Sequence, residues 1–130
     1  MANTIIGVGI PGLVAKETGK ILDYTRNFAT THAAAADTDS WLIPINTEIS
    51  EVYYEILTAS TDGSAEFSIG HTGTLTDYAS AVSFTPAGVL VKCSGTPDLI
   101  TDAVSYFVIT YPNALTTGKL RVVVFGRLIG

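Results

Sequence analysis

The segment Lys119-Leu-Arg-Val-Val-Val-Phe-Gly-Arg-Leu128 alternates in character. Leu120, Val122, Val124 and Leu128 fall on one face at a period of two, with Lys119, Arg121 and Arg127 on the other. Such a run reads as a half-buried β-strand, and it predicts that this end of the chain is tied into a sheet. The same pattern recurs upstream. In Glu48-Ile-Ser-Glu-Val-Tyr-Tyr-Glu-Ile-Leu-Thr58, Val52, Tyr54 and Ile56 share one face and Glu51, Tyr53 and Glu55 the other. Trp41 to Ile45, Ala65 to Gly70, Ser83 to Val91 and Val104 to Tyr111 read as further strand runs, the third of them interrupted at Pro86-Ala-Gly88.

The turn signals fall between these runs. Asp62-Gly63 predicts a type I′ hairpin, because both central residues of that turn need φ > 0. Residues 71–82 read as a polar loop, Asp37-Thr-Asp39 as a turn before Trp41, and Ser94-Gly-Thr-Pro97 and Thr117-Gly118 as further turns. Lys16 to Leu22 has enough helical character for a single turn. Short strands separated by turns, with no fixed-period repeat, predict an all-β fold: an antiparallel β-sandwich, jelly-roll or Greek-key like. Residues 1–30 stand apart. They are apolar and punctuated by Gly7, Gly9, Pro11, Gly12 and Gly19, which blocks a regular helix. The expected organisation is an extended N-terminal arm over 1–30 and a sandwich domain over 31–130.

Charge narrows the function classes. The chain of 130 residues carries a net charge of −5, and ten of its twelve acids lie between Asp37 and Asp102, where Lys92 is the one base. An acidic body does not suit a phosphate backbone, so no nucleic-acid partner is expected. Cys93 is the single cysteine, which excludes an intrachain disulfide and reads as a buried hydrophobe. No apolar run reaches the length of a membrane helix, and the start lacks the basic region of a signal peptide; synthesis in a reducing cytoplasm is the expectation.

The motifs with chemical meaning are sparse. Gly7-Val-Gly-Ile-Pro-Gly12 has the bare GxGxxG spacing, but a dinucleotide site also needs a preceding strand, a following helix and a βαβ unit. His32 and His71 have no partner at metal or triad spacing, and Asp37-Thr-Asp39 lacks the later glycine and glutamate of an EF-hand loop. Glu51 and Glu55 on one strand face lack a glycosidase cleft, and they read with Arg121 and Arg127 as cross-strand pairs. Trp41, Tyr53, Tyr78 and Tyr111 suit a core cap better than a sugar platform. No catalytic residue, cofactor or metal is expected. The residues expected to act are apolar ones of the arm, Ile5, Ile6, Val8, Ile10, Leu13 and Val14, since an exposed apolar terminal segment marks an interface.

The stretch Trp41-Leu-Ile-Pro-Ile-Asn-Thr-Glu-Ile-Ser-Glu-Val-Tyr-Tyr-Glu-Ile-Leu-Thr-Ala-Ser60, then Gly63-Ser-Ala-Glu-Phe-Ser-Ile-Gly70 and Gly118-Lys-Leu-Arg-Val-Val-Val-Phe125, resembles small tailed-bacteriophage virion proteins of the head decoration (cement) type. The resemblance spans about 40–130 and lies in strand grammar. It implies a β-sandwich displayed on a virion, commonly as a trimer, with the major capsid protein or other virion proteins as partners. A tail, baseplate or fibre component is the nearest rival. A carbohydrate-binding module is the rival of a different class.

Overall fold

The computed structural model describes residues 19–28, 37–101 and 104–129. They form nine strands: β1 Gly19–Asn27, β2 Asp37–Ile43, β3 Thr47–Thr58, β4 Glu66–His71, β5 Thr74–Ser83, β6 Leu90–Lys92, β7 Asp98–Ile100, β8 Ser105–Tyr111 and β9 Lys119–Leu128. One sheet runs β1-β9-β3, with β6 and β7 following one another along the far edge of β3; the other runs β2-β8-β4-β5. Every pairing is antiparallel. The fold is an all-β sandwich. The chain crosses between the sheets at almost every connection, and only β4–β5 is a hairpin of sequential strands.

The alternation of β9 is kept to the letter. Leu120, Val122 and Val124 are buried and Leu128 packs against the core, while Lys119, Arg121 and Arg127 point away from it. β9 is central because it is flanked by β1 and β3 along nearly its whole length. In β3 a bulge between Ile49 and Glu51 shifts the phase, so Ile49 and Val52 both face inward although three residues apart. Opposite them, Trp41, Ile43, Phe67, Ile69, Phe107, Ile109 and Tyr111 close the core from the second sheet.

Several expectations change. The segment read as an arm over 1–30 contains β1: Ile21, Leu22 and Tyr24 are core residues, so the sheet begins at Gly19, and Lys20 to Leu22 are strand and not a helical turn. Residues 1–18 and 29–36 lie outside the described residues. Asp62-Gly63 is not a hairpin, because β3 and β4 belong to different sheets and Gly63 does not take the left-handed conformation. Asp62 instead holds the β8–β9 connection: its carboxylate accepts from the Thr116 and Thr117 amides at 2.8 and 3.3 Å and from the Thr116 hydroxyl at 2.9 Å. The true hairpin turns at Thr72-Gly73, with Gly73 at φ 87°, and the expected loop 71–82 is largely β5. Ser83 to Val91 is the end of β5 and the start of β6, which lie in different sheets. Asp37 and Asp39 are in β2, which stops at Ile43.

Candidate functional site

The arm residues expected to bind a partner, Ile5, Ile6, Val8, Ile10, Leu13 and Val14, lie outside the described residues, as do the GxGxxG run and His32. Within the described body the outer face of the first sheet carries charged pairs across its strands. On the outer face of the first sheet, Arg121 reaches Asp23 across β9 and β1 at 2.8 Å, and Arg127 reaches Glu48 across β9 and β3 at 2.8 Å. Lys92 pairs with Glu51 at 3.5 Å. The sequence paired Arg121 and Arg127 with Glu51 and Glu55. Glu55 does stand opposite Arg121 in register, but the guanidinium turns to Asp23, where it makes two hydrogen bonds and holds that carboxyl below its ordinary range.

The outer face of the second sheet is different. Its outward positions on β2 and β8 are Thr38, Ser40 and Leu42, and Tyr106, Val108 and Thr110; Ser68 of β4 continues the row beside Thr110. None of these is charged. Leu42 and Tyr106 are cross-strand partners, 53% and 41% exposed, and Val104 beside them is 62% exposed. Val108, between them and Thr110, is buried, so the exposed apolar part of this face is the Leu42, Tyr106 and Val104 end, a surface suited to contact with protein. Elsewhere, Tyr54, Ile56, Val82, Pro86, Val89 and Val91 line a groove of about 150 Å³, smaller than the roughly 300 Å³ or more of ordinary ligand pockets.

Between the sheets lies a polar cluster that the sequence reading missed. Asp39 sits on the inward face of β2 with Trp41 and Ile43 and is 3% exposed. Arg26 reaches it from β1 with one guanidinium nitrogen 2.8 Å from each carboxylate oxygen. The Tyr24 hydroxyl donates to the same carboxylate, and the Tyr111 hydroxyl lies 3.2 Å from it. Burial, then the neighbouring carboxylate, raises the Tyr24 hydroxyl far above its ordinary range, so it stays a proton donor. The guanidinium also lies over the Phe28 and Tyr111 rings, 4.8 and 5.2 Å from their centroids. These contacts latch the edge strands β1 and β2 across the sandwich. Parity was the available signal: Asp39 shares the face of Trp41 and Ile43, and Arg26 that of Leu22 and Tyr24.

The remaining candidates fall as follows. Trp41, Tyr78 and Tyr111 are buried, so the aromatic quartet offers no platform; Tyr53 packs edge-on against Phe125 at 6.2 Å. Cys93 is buried and its thiol is pushed up to about 12 by desolvation. His71 does have partners, contrary to the sequence spacing: Asp77 and Asp98 lie beside its Nε2.

No protein-family model and no curated protein matches the sequence. Among solved structures, the chain is similar to a chain of the Cyanophage Pam1 capsid asymmetric unit, with a TM-score of 0.69 and 21% identity, over 88% of this chain and 87% of that one. The shared property is the whole two-sheet fold.

Proposed function

We propose that this chain is a structural protein of a tailed-bacteriophage virion, and more narrowly a capsid decoration (cement) protein that fastens the head lattice. The observation that carries this reading is the uncharged, partly apolar outer face of β2 and β8, on a fold shared nearly end to end with a chain from a phage capsid. The strand order supports a jelly roll: two sheets, β1-β9-β3-β6 and β2-β8-β4-β5, interleaved by a chain that alternates between them.

The work of such a protein is burial. Six apolar arm side chains, each contributing about 1.5–3 kcal/mol when fully buried, amount to roughly 9–18 kcal/mol. Association costs about 4–15 kcal/mol, so one arm is close to balance. The β2–β8 face and a trimer's repeated contacts then supply the margin, because each further contact is made at high effective concentration.

Deletion of residues 2–18 tests this while leaving β1 intact. The intact chain should bind purified capsids that lack it and raise their melting temperature. The truncated chain, and separately a Leu42→Asp, Tyr106→Asp variant, should each bind at least tenfold more weakly. Equal binding by both variants would remove the reading. Mass spectrometry of separated heads and tails that finds the chain only in tails would move it to the tail, and saturable binding on a glycan array would favour a carbohydrate-binding module.

A further inference from the structure

His71 closes β4, Asp77 lies in β5 and Asp98 opens β7, so the three come from both sheets. The loop before β7 reaches them because of Gly95. It sits at φ 79° and packs so close to the Asp77 carbonyl that a Cβ would collide with it. His71 Nε2 is 3.3 Å from Asp77 Oδ2 and 3.2 Å from Asp98 Oδ2, and the side chains are only 15%, 31% and 24% exposed.

The other ring nitrogen decides what stands at that point. His71 Nδ1 is 3.0 Å from the Thr72 carbonyl oxygen, which can only accept, so Nδ1 carries the proton. In the neutral ring, Nε2 is then a bare lone pair aimed at two carboxylate oxygens. Three acceptors converge with an electrophile's place between them. We propose that His71, Asp77 and Asp98 form a zinc site, with three protein ligands and one open position, that clips the β4–β5 hairpin to the β7 edge of the opposite sheet.

The spacing fits. Bonds of about 2.0–2.1 Å in tetrahedral geometry put neighbouring donors about 3.3–3.4 Å apart. The outer contacts fit as well. The Thr72 carbonyl orients the imidazole, and the Tyr78 hydroxyl donates to Asp98 Oδ2 at 2.8 Å, the pattern by which a second layer of groups holds metal ligands in place. Magnesium and calcium prefer all-oxygen shells of six or more, so the imidazole favours zinc.

The test uses the full chain, stripped with chelator and returned to chelator-free buffer near pH 7.5. Titration with zinc chloride in a calorimeter should give one ion per chain. Zinc at 100 times its Kd should raise the melting temperature by about 10 °C. Asp98→Asn and Asp77→Asn, near-isosteric changes that keep the fold, should each weaken zinc binding at least 100-fold, and His71→Ala should abolish it. Absence of saturable zinc binding to the intact chain overturns the site. So does binding that both asparagine variants retain within threefold, which would place the ion elsewhere.

Discussion

Asp39→Ala is the most demanding perturbation of the core. Asp39 is the acceptor for Arg26, Tyr24 and Tyr111 between the two sheets. Its side chain is 4% exposed and that of Arg26 is 23% exposed, so the pair is largely shielded from water. Removing one member of a buried ion pair costs about 3–5 kcal/mol, chiefly through the charge left behind. The tyrosine hydroxyls add less, because they stand 3.2 Å apart and one can donate to the other. For a domain of this size the loss corresponds to a fall of roughly 10–20 °C in melting temperature. The double variant Arg26→Met, Asp39→Leu removes both charges and should recover most of it, ending within about 2 kcal/mol of the parent. Urea unfolding followed by far-UV circular dichroism measures all three chains. The latch is refuted if Asp39→Ala loses less than about 1 kcal/mol, or if the double variant is no more stable than the single one.

Four further outcomes follow from the same structure. Along β9, Leu120→Ala should cost about 2–5 kcal/mol, because Leu120 is fully buried; Arg127→Ala, which breaks the half-exposed pair with Glu48, should cost less than about 1 kcal/mol in the same unfolding assay. The Asp62 carboxyl is held below its ordinary 3.8 by the Thr116 amide and hydroxyl, so its contribution is complete above that value and fades as the pH falls through the lower folded one. The stability gap between the parent and Asp62→Asn should therefore shrink between about pH 5 and pH 3 in thermal melts. Cys93, buried with its thiol pushed up to about 12, should resist alkylation by iodoacetamide at pH 8 until the chain is unfolded, as read by mass spectrometry.

What the sequence determined was what a period of two encodes. The inward row Leu120, Val122, Val124 was legible because a strand's two faces alternate residue by residue, so the apolar row and the charged row separate without knowledge of any neighbour. The sandwich class followed from the same local grammar, while the burial of Trp41, Tyr78, Tyr111 and Cys93 was read from residue type. Strand partners did not, because pairing is set by which edges meet in space. Asp62-Gly63 had the composition of a hairpin, yet Asp62 spends its carboxylate on amides more than fifty residues away in sequence. Arg121 was expected to pair with Glu51 or Glu55, and geometry selected Asp23. The two polar clusters were the least legible. Asp39 with Arg26, and His71 with Asp77 and Asp98, each join residues from both sheets, and no spacing along a chain encodes the stacking of one sheet on another. That stacking, driven by the apolar rows, is what brought these polar groups into contact.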